Sequence, residues 1–197
     1  MKITKSRNSS HQIVYTAELS EYDAEPPTRM WILDGGPNRI NPEIEAIALY
    51  LIFGPWCGGE FICPQKMGPN TAAAITRHSQ MDFFPGPIEY YPKPLPTGAT
   101  EVTVSEEFPQ PGVRTLSLMS ADKWNGAMRS TNSMILSSNS EVFRLGDDDP
   151  RPVLAPAVLM AEELNVGSIV LAKRVGAARP EVIQLCSEVR LLVAAES

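Results

Sequence analysis

The chain has 197 residues, 43% hydrophobic and 20% charged, enough apolar surface to fill a core and too little charge to hold the chain open; the length suits one domain, 1–197, rather than two. Seventeen Lys and Arg stand against 23 Asp and Glu, a net charge of -6, so no positive field draws phosphate backbones and nucleic acid is disfavoured as a partner. No apolar run follows the basic start at Lys2, Lys5 and Arg7, and no secretory signal is read there.

The most apolar stretch, 44–56, is interrupted by Glu45, Gly54 and Pro55, well short of the roughly 20 residues of a membrane span. A soluble protein is expected. Cys57, Cys63 and Cys186 are a sparse, odd set, read as reduced thiols in a cytoplasm rather than as a disulfide framework.

Residues 12–19 alternate, with Ile13, Tyr15, Ala17 and Leu19 on one side, and read as a half-exposed strand. A second strand is expected over 29–33, broken by Asp34-Gly35-Gly36-Pro37. Asn41, Pro42 and Glu43 then supply an N-cap, a first-turn proline and an acidic residue, so a helix is predicted over 42–53. Ile44, Ile47, Ala48, Leu51 and Ile52 keep the helical period while Leu49, Tyr50 and Phe53 widen it, which points to burial on two sides. Residues 60–63 read as a short strand, and 71–78, begun by Asn70 or Thr71, as an alanine-rich helix.

Proline is the compositional outlier, at 18 of 197 residues, about 9% against a usual value of roughly 5%. Seven prolines fall between Pro85 and Pro111, and each fixes φ and removes a donor, so the segment 83–111 is expected to be an extended surface connection, neither helix nor central strand. Its Phe83, Phe84, Ile88, Tyr90, Tyr91 and Leu95 have no use in a solvated linker and point to packing on the domain or on a partner.

Further strands are expected over 101–105, 113–119, 133–137 and 141–145, the last two as a hairpin around Ser138-Asn139. A third helix should begin near Ala155-Pro156, and a strand should follow over 168–173. A last helix over 180–194 carries Val182, Leu185, Cys186, Val189, Leu192 and Val193 at helical spacing for docking on the sheet. No internal repeat is visible. The fold expected is α/β, a mixed β-sheet flanked by helices with an antiparallel β-rich middle region, α+β being the near alternative.

For chemistry, the loops after Leu33 and Cys63 are the places where an open α/β sheet would hold a ligand. Lys66, Gly68, Asn70 and Thr71 lie at a strand-to-helix junction suited to a phosphate or carboxylate, without the spacing of a Walker loop. Asp34 could serve there as metal ligand or base, against the plain reading of a turn. Asp147, Asp148 and Asp149 read as a solvated loop. Cys57, Cys63, His78 and His11 lack the pairing of a zinc site, no local signature ties Cys57 to His78 as nucleophile and base, and Ser130–Ser140 holds no nucleophile elbow.

No metal or cofactor is named by these residues. Two readings follow. The first is a non-catalytic interaction protein or complex subunit that binds a partner protein, or a second copy, through Phe84, Tyr90, Tyr91 and the turn residue Trp124. The alternative is a small α/β enzyme or nucleotide/phosphate-binding module using the loops after Leu33 and Cys63.

Overall fold

The computed structural model describes residues 1–10 and 12–196. The fold is α/β. Strands β1 (Lys2–Arg7), β2 (Ile13–Glu18), β3 (Met30–Leu33), β4 (Glu60–Met67), β5 (Phe84–Ile88), β6 (Thr100–Ser105), β7 (Thr115–Ser120), β8 (Ala127–Arg129), β9 (Ser133–Ser138), β10 (Val166–Leu171) and β11 (Leu192–Ala195) form one mixed sheet. Helices α1 (Pro42–Phe53), α2 (Pro69–Ser79), α3 (Arg151–Met160) and α4 (Pro180–Ser187) back it. The sheet order is β5-β4-β1-β2-β3-β9-β7-β6-β10-β11, with β8 antiparallel on part of β9.

That order contains a repetition that the sequence reading misses. The series β1-β2-β3-α1-β4-α2-β5 and β6-β7-β9-α3-β10-α4-β11 run through the same elements and stack in the same order from the outer edge inward. The two third strands, β3 and β9, meet antiparallel in the middle, and α1 packs on α3 behind them. Residue likeness is confined to the fourth strand and its exit: Gly59, Phe61, Ile62, Lys66, Met67 and Gly68 correspond to Gly167, Ile169, Val170, Arg174, Val175 and Gly176, with burial on the same beat. Two shared glycines and a handful of like side chains carry no visible signal until topology aligns them.

The halves differ at their second strands. β2 returns antiparallel to β1 through a hairpin, whereas β7 runs parallel to β6, and β9 parallel to β7. A parallel neighbour requires the chain to travel back the length of the sheet. Residues 106–114 make the first connection without a helix, and residues 121–132 make the second through β8, which runs back antiparallel beside β9. β7, between β6 and β9, is buried along its whole length. In the β-rich middle the antiparallel pair is thus β8–β9, joined by the turn at Ser130, whose hydroxyl meets that of Ser133 at 2.7 Å.

Helix α1 matches its predicted bounds, and Glu43 through Phe53 are all buried between the sheet, α2 and α3. Asn41 caps it by accepting the Glu43 amide at 3.0 Å. Inward rows of the sheet face the helix layer: Ile3, Tyr15 and Trp31 in one half, Val104, Leu116 and Leu171 in the other. Tyr15 and Trp31, cross-strand neighbours, stack at 5.4 Å between ring centroids. Strand β1 was not expected from its polar sequence; its ladder with β2 recruits Lys2–Arg7, of which Ile3 is buried.

Several other expectations are corrected. β4 runs on through Pro64 to Met67 where a loop is expected, so α2 starts at Pro69 with Gly68 as N-cap rather than Asn70 or Thr71. In the segment 83–111, β5 is an edge strand paired only with β4, but β6 is a central strand between β10 and β7, against the expected surface connection, because Thr100–Ser105 holds no proline and buries Val102 and Val104. Residues 141–145 are no strand and Ser138-Asn139 no hairpin, because β3 takes the end of β9 and a 3-10 turn, Ser140–Phe143, follows. Helix α3 begins earlier, at Arg151, and keeps Pro156 inside, since burial of Pro152 through Met160 outweighs one lost backbone hydrogen bond. The last helix stops at Ser187, where Arg190 takes a positive φ, and the chain adds β11 to β10. Val193 accordingly points inward while Leu192 is 69% exposed.

Two paired substitutions check this architecture. Leu185, buried on α4, should cost about 2 to 5 kcal/mol on truncation to Ala in chemical denaturation, whereas Leu192→Ala should leave the midpoint nearly unchanged. Gly167 crosses Gly98 so closely that a Cβ on Gly167 overlaps the Gly98 carbonyl, while a Cβ on its counterpart Gly59 meets nothing within 4 Å. Gly167→Ala should therefore destabilise by more than about 1 kcal/mol and Gly59→Ala should be neutral or mildly stabilising, read as shifts in thermal midpoint.

Candidate functional site

Asp34 sits at the seam between the two halves. Its amide donates to the Ser137 carbonyl at 2.9 Å, and its carboxylate accepts the Gly126 amide at 2.6 Å and the Gln12 side chain. Buried and occupied, it clamps β3, β9 and the approach to β8.

At the junction read as an anion site, Lys66 and Asn70 are exposed and Thr71 is buried in the first turn of α2. The Gly68 amide is occupied: both oxygens of the Glu43 carboxylate accept it, at 2.8 and 3.0 Å. Glu43 thus supplies, from the start of α1, the negative charge that the start of α2 favours, and the position of a bound anion is filled from within the chain. The neighbouring Glu45 is buried too and accepts Tyr15 Oη at 2.7 Å, Lys5 Nζ at 2.8 Å and Gln65 Nε2 at 2.8 Å. Burial, then the Glu45 charge, raises the Tyr15 pKa and keeps the phenol protonated.

Nor do Cys57 and His78 come together. Cys57 donates its thiol to the Glu60 carbonyl at 3.2 Å, and burial raises its pKa and that of Cys63, so both favour the thiol over the reactive thiolate. His78 Nδ1 pairs with Tyr50 Oη at 2.9 Å; burial, with Arg151 adding to it, lowers the imidazole's pKa. Asp149 is gripped by Arg151 through two bonds of 2.8 Å. No cluster of three or more His, Cys, Asp or Glu side chains fit to hold a metal occurs among the described residues, and His11 lies outside them.

Of the aromatic set, Phe84 stands at the start of β5 opposite Glu60 and Tyr90 and Tyr91 lie beyond its other end near Met67; they are 64%, 77% and 92% exposed. The backbone that carries them is fixed. The Glu89 amide donates to Met67 at 2.7 Å, Pro92 packs over Gly68, Asn41 Nδ2 donates to the Pro94 carbonyl at 3.2 Å and Arg190 donates to Thr97 Oγ1 at 2.9 Å. Trp124 lies elsewhere. Its turn, closed by the Lys123 and Trp124 amides on the Ser120 carbonyl, sits in the second half, and its half-buried indole packs edge-on to Phe108 at 5.9 Å.

Phe108 marks a feature that the sequence reading passed over. A crevice of about 480 Å³ lies under the crossover 106–114, floored by Thr103, Ser105 and Thr115 and walled by Phe108, Lys173 and Glu196. It opens at the carboxyl ends of β6 and β10. There the chain leaves β6 for β7 on one side and later reaches β10 on the other, the switch point at which open α/β sheets form ligand crevices. Leu33 ends β3 beside β9, and Cys63 lies inside β4, so neither loop named from the sequence is at this reversal. Comparison with protein-family models, curated proteins and solved structures finds no match.

The Tyr50–His78 pair yields a pH test. Its imidazole pKa lies below the unfolded value of about 6.5, so the unfolded chain binds the proton first as pH falls and stability is lost from about pH 6.5 downward. Denaturant midpoints between about pH 5 and 7 should rise with pH, and His78→Gln should flatten that slope.

Proposed function

We propose that this chain is a non-catalytic interaction protein, or a subunit of a multiprotein complex, that binds a partner protein through the segment bearing Phe84, Tyr90 and Tyr91. The observation that carries the reading is that two adjacent tyrosine rings, 77% and 92% exposed, stand on a backbone already pinned to the domain. Rigid aromatic anchors lose little conformational freedom on docking and supply most of the energy of many interfaces.

The mode of contact follows from β5. The Phe84 amide donates inward to Gly59, so alternation turns positions 85 and 87 outward, and both are proline. That edge offers no amide at either outward position, so the partner engages side chains rather than extending the sheet. No helix among the described residues is long and apolar enough to cross a membrane. The three buried free cysteines favour a reducing compartment, the cytoplasm.

Placing a photo-crosslinking residue at position 91 in cells should trap one adduct of defined mass. Tyr90→Ala combined with Tyr91→Ala should weaken that partner's binding to the purified protein roughly a thousandfold, at about 2 kcal/mol per ring, with an unchanged melting temperature. Absence of any adduct, or unchanged affinity for the trapped protein, would refute the proposal; an adduct of twice the chain's mass would identify the partner as a second copy.

A further inference from the structure

We infer that the crevice at the carboxyl ends of β6 and β10 binds a nucleoside monophosphate, its base against Phe108 and its phosphate at Lys173. The inference is independent of the tyrosine surface, which lies on the other half of the sheet.

The charges of the crevice are sorted. Glu106 is paired with Arg144, Glu107 with Arg174, and Glu196 accepts the Lys173 amide at 3.2 Å. The Lys173 ammonium alone has no anionic partner among the described residues, although carboxylates lie nearby. An ammonium with no ion-pair partner is a point charge for a phosphate. Phe108 is 58% exposed, and Trp124 at its edge holds the ring upright, so one apolar ring face is offered to a planar group. Between cation and ring the floor is hydroxylic, Thr103 and Ser105 facing Thr115, which suits a sugar.

The polarity continues beneath the floor. Ser117 Oγ, in register with Ser105, and Trp124 Nε1, behind Phe108, are buried without a hydrogen-bonding partner among the described residues. Unpaired buried polar groups are rare in native proteins, and these two lie one layer behind the crevice lining, Ser117 paired with Ser105 and Trp124 packed on Phe108.

The first half shows what the crevice requires. The counterparts of Lys173 and Arg174 there are Gln65 and Lys66, but Gln65 is drawn in to Glu45 and β1 folds straight back into β2. Among the described residues no crossover stands over those strand ends, and only the second half has both the overhanging loop and an ammonium without an ion-pair partner on the counterpart strand end.

The test is calorimetric titration of the full chain with the four common ribonucleoside monophosphates, with the four matching nucleosides, inorganic phosphate and indole-3-carboxylate as separate arms. At least one monophosphate should bind more tightly than its nucleoside and than phosphate, and should perturb Trp124 fluorescence. Lys173→Ala and Phe108→Ala should each weaken it tenfold or more, while Lys66→Ala should not, with melting temperatures confirming that all three fold. If no monophosphate binds at millimolar concentration, if only phosphate or the aromatic carboxylate binds, or if both crevice variants bind like the parent, the inference falls.

Discussion

The join between β3 and β9 is the constraint on which the remainder of the sheet rests. Direct strand pairing there amounts to Leu33 opposite Ser138, far too little to hold two five-stranded halves together. Side chains extend it. Asn139 accepts the Ile32 amide at 2.8 Å and donates to the Met30 carbonyl at 2.8 Å, so its amide continues the ladder as a strand backbone would. Trp31 Nε1 reaches Ser138 Oγ at 3.3 Å, and Asp34 ties in the Gly126 amide. Behind this polar seam, α1 against α3 supplies the apolar burial that makes the seam's few hydrogen bonds sufficient.

From that join the two ends of the sheet diverge in use. In the first half a hairpin closes the β1 end, Glu43 fills the start of α2, and prolines silence the outer edge. What is left for other molecules is a rigid surface with tyrosines on it. In the second half β6 runs parallel to β7, and the connection between them, 106–114, lines a crevice at the end of β6. One repeated arrangement thus presents an aromatic surface at one end and an open crevice of mixed polarity at the other.

Buried charge follows the same economy of position. Glu43 and Glu45 lie in the first turn of a fully buried helix, where an isolated carboxylate would be very unfavourable. Each is satisfied by groups far away in sequence: Glu43 by Gly68, Glu45 by Lys5, Tyr15 and Gln65. These contacts fix the start of α1 against β1, β2 and β4, and they account for a lysine on the inward side of β1.

Local chemistry was legible in the sequence wherever it acts over a few residues. The cap at Asn41 with Pro42 set the bounds of α1, alternation located β2, and glycine and proline marked most breaks. The break of helix over residues 85–96 was legible for the same reason, because proline restricts its own backbone whatever surrounds it, whereas burial of Phe83 and of β6 in the same segment was not. Everything that depends on pairing between distant segments was decided by tertiary structure. Polar Lys2–Arg7 became a strand because β2 and β4 flank it, Leu192–Ala195 left helix for strand because β10 had an open edge, and Asp34 and Gly68 found internal partners where a ligand had been expected. Residues 173 and 108 carry no motif, since a strand end becomes a crevice only when strand order reverses beside it, and strand order is a global property of how apolar faces and backbone ladders are shared.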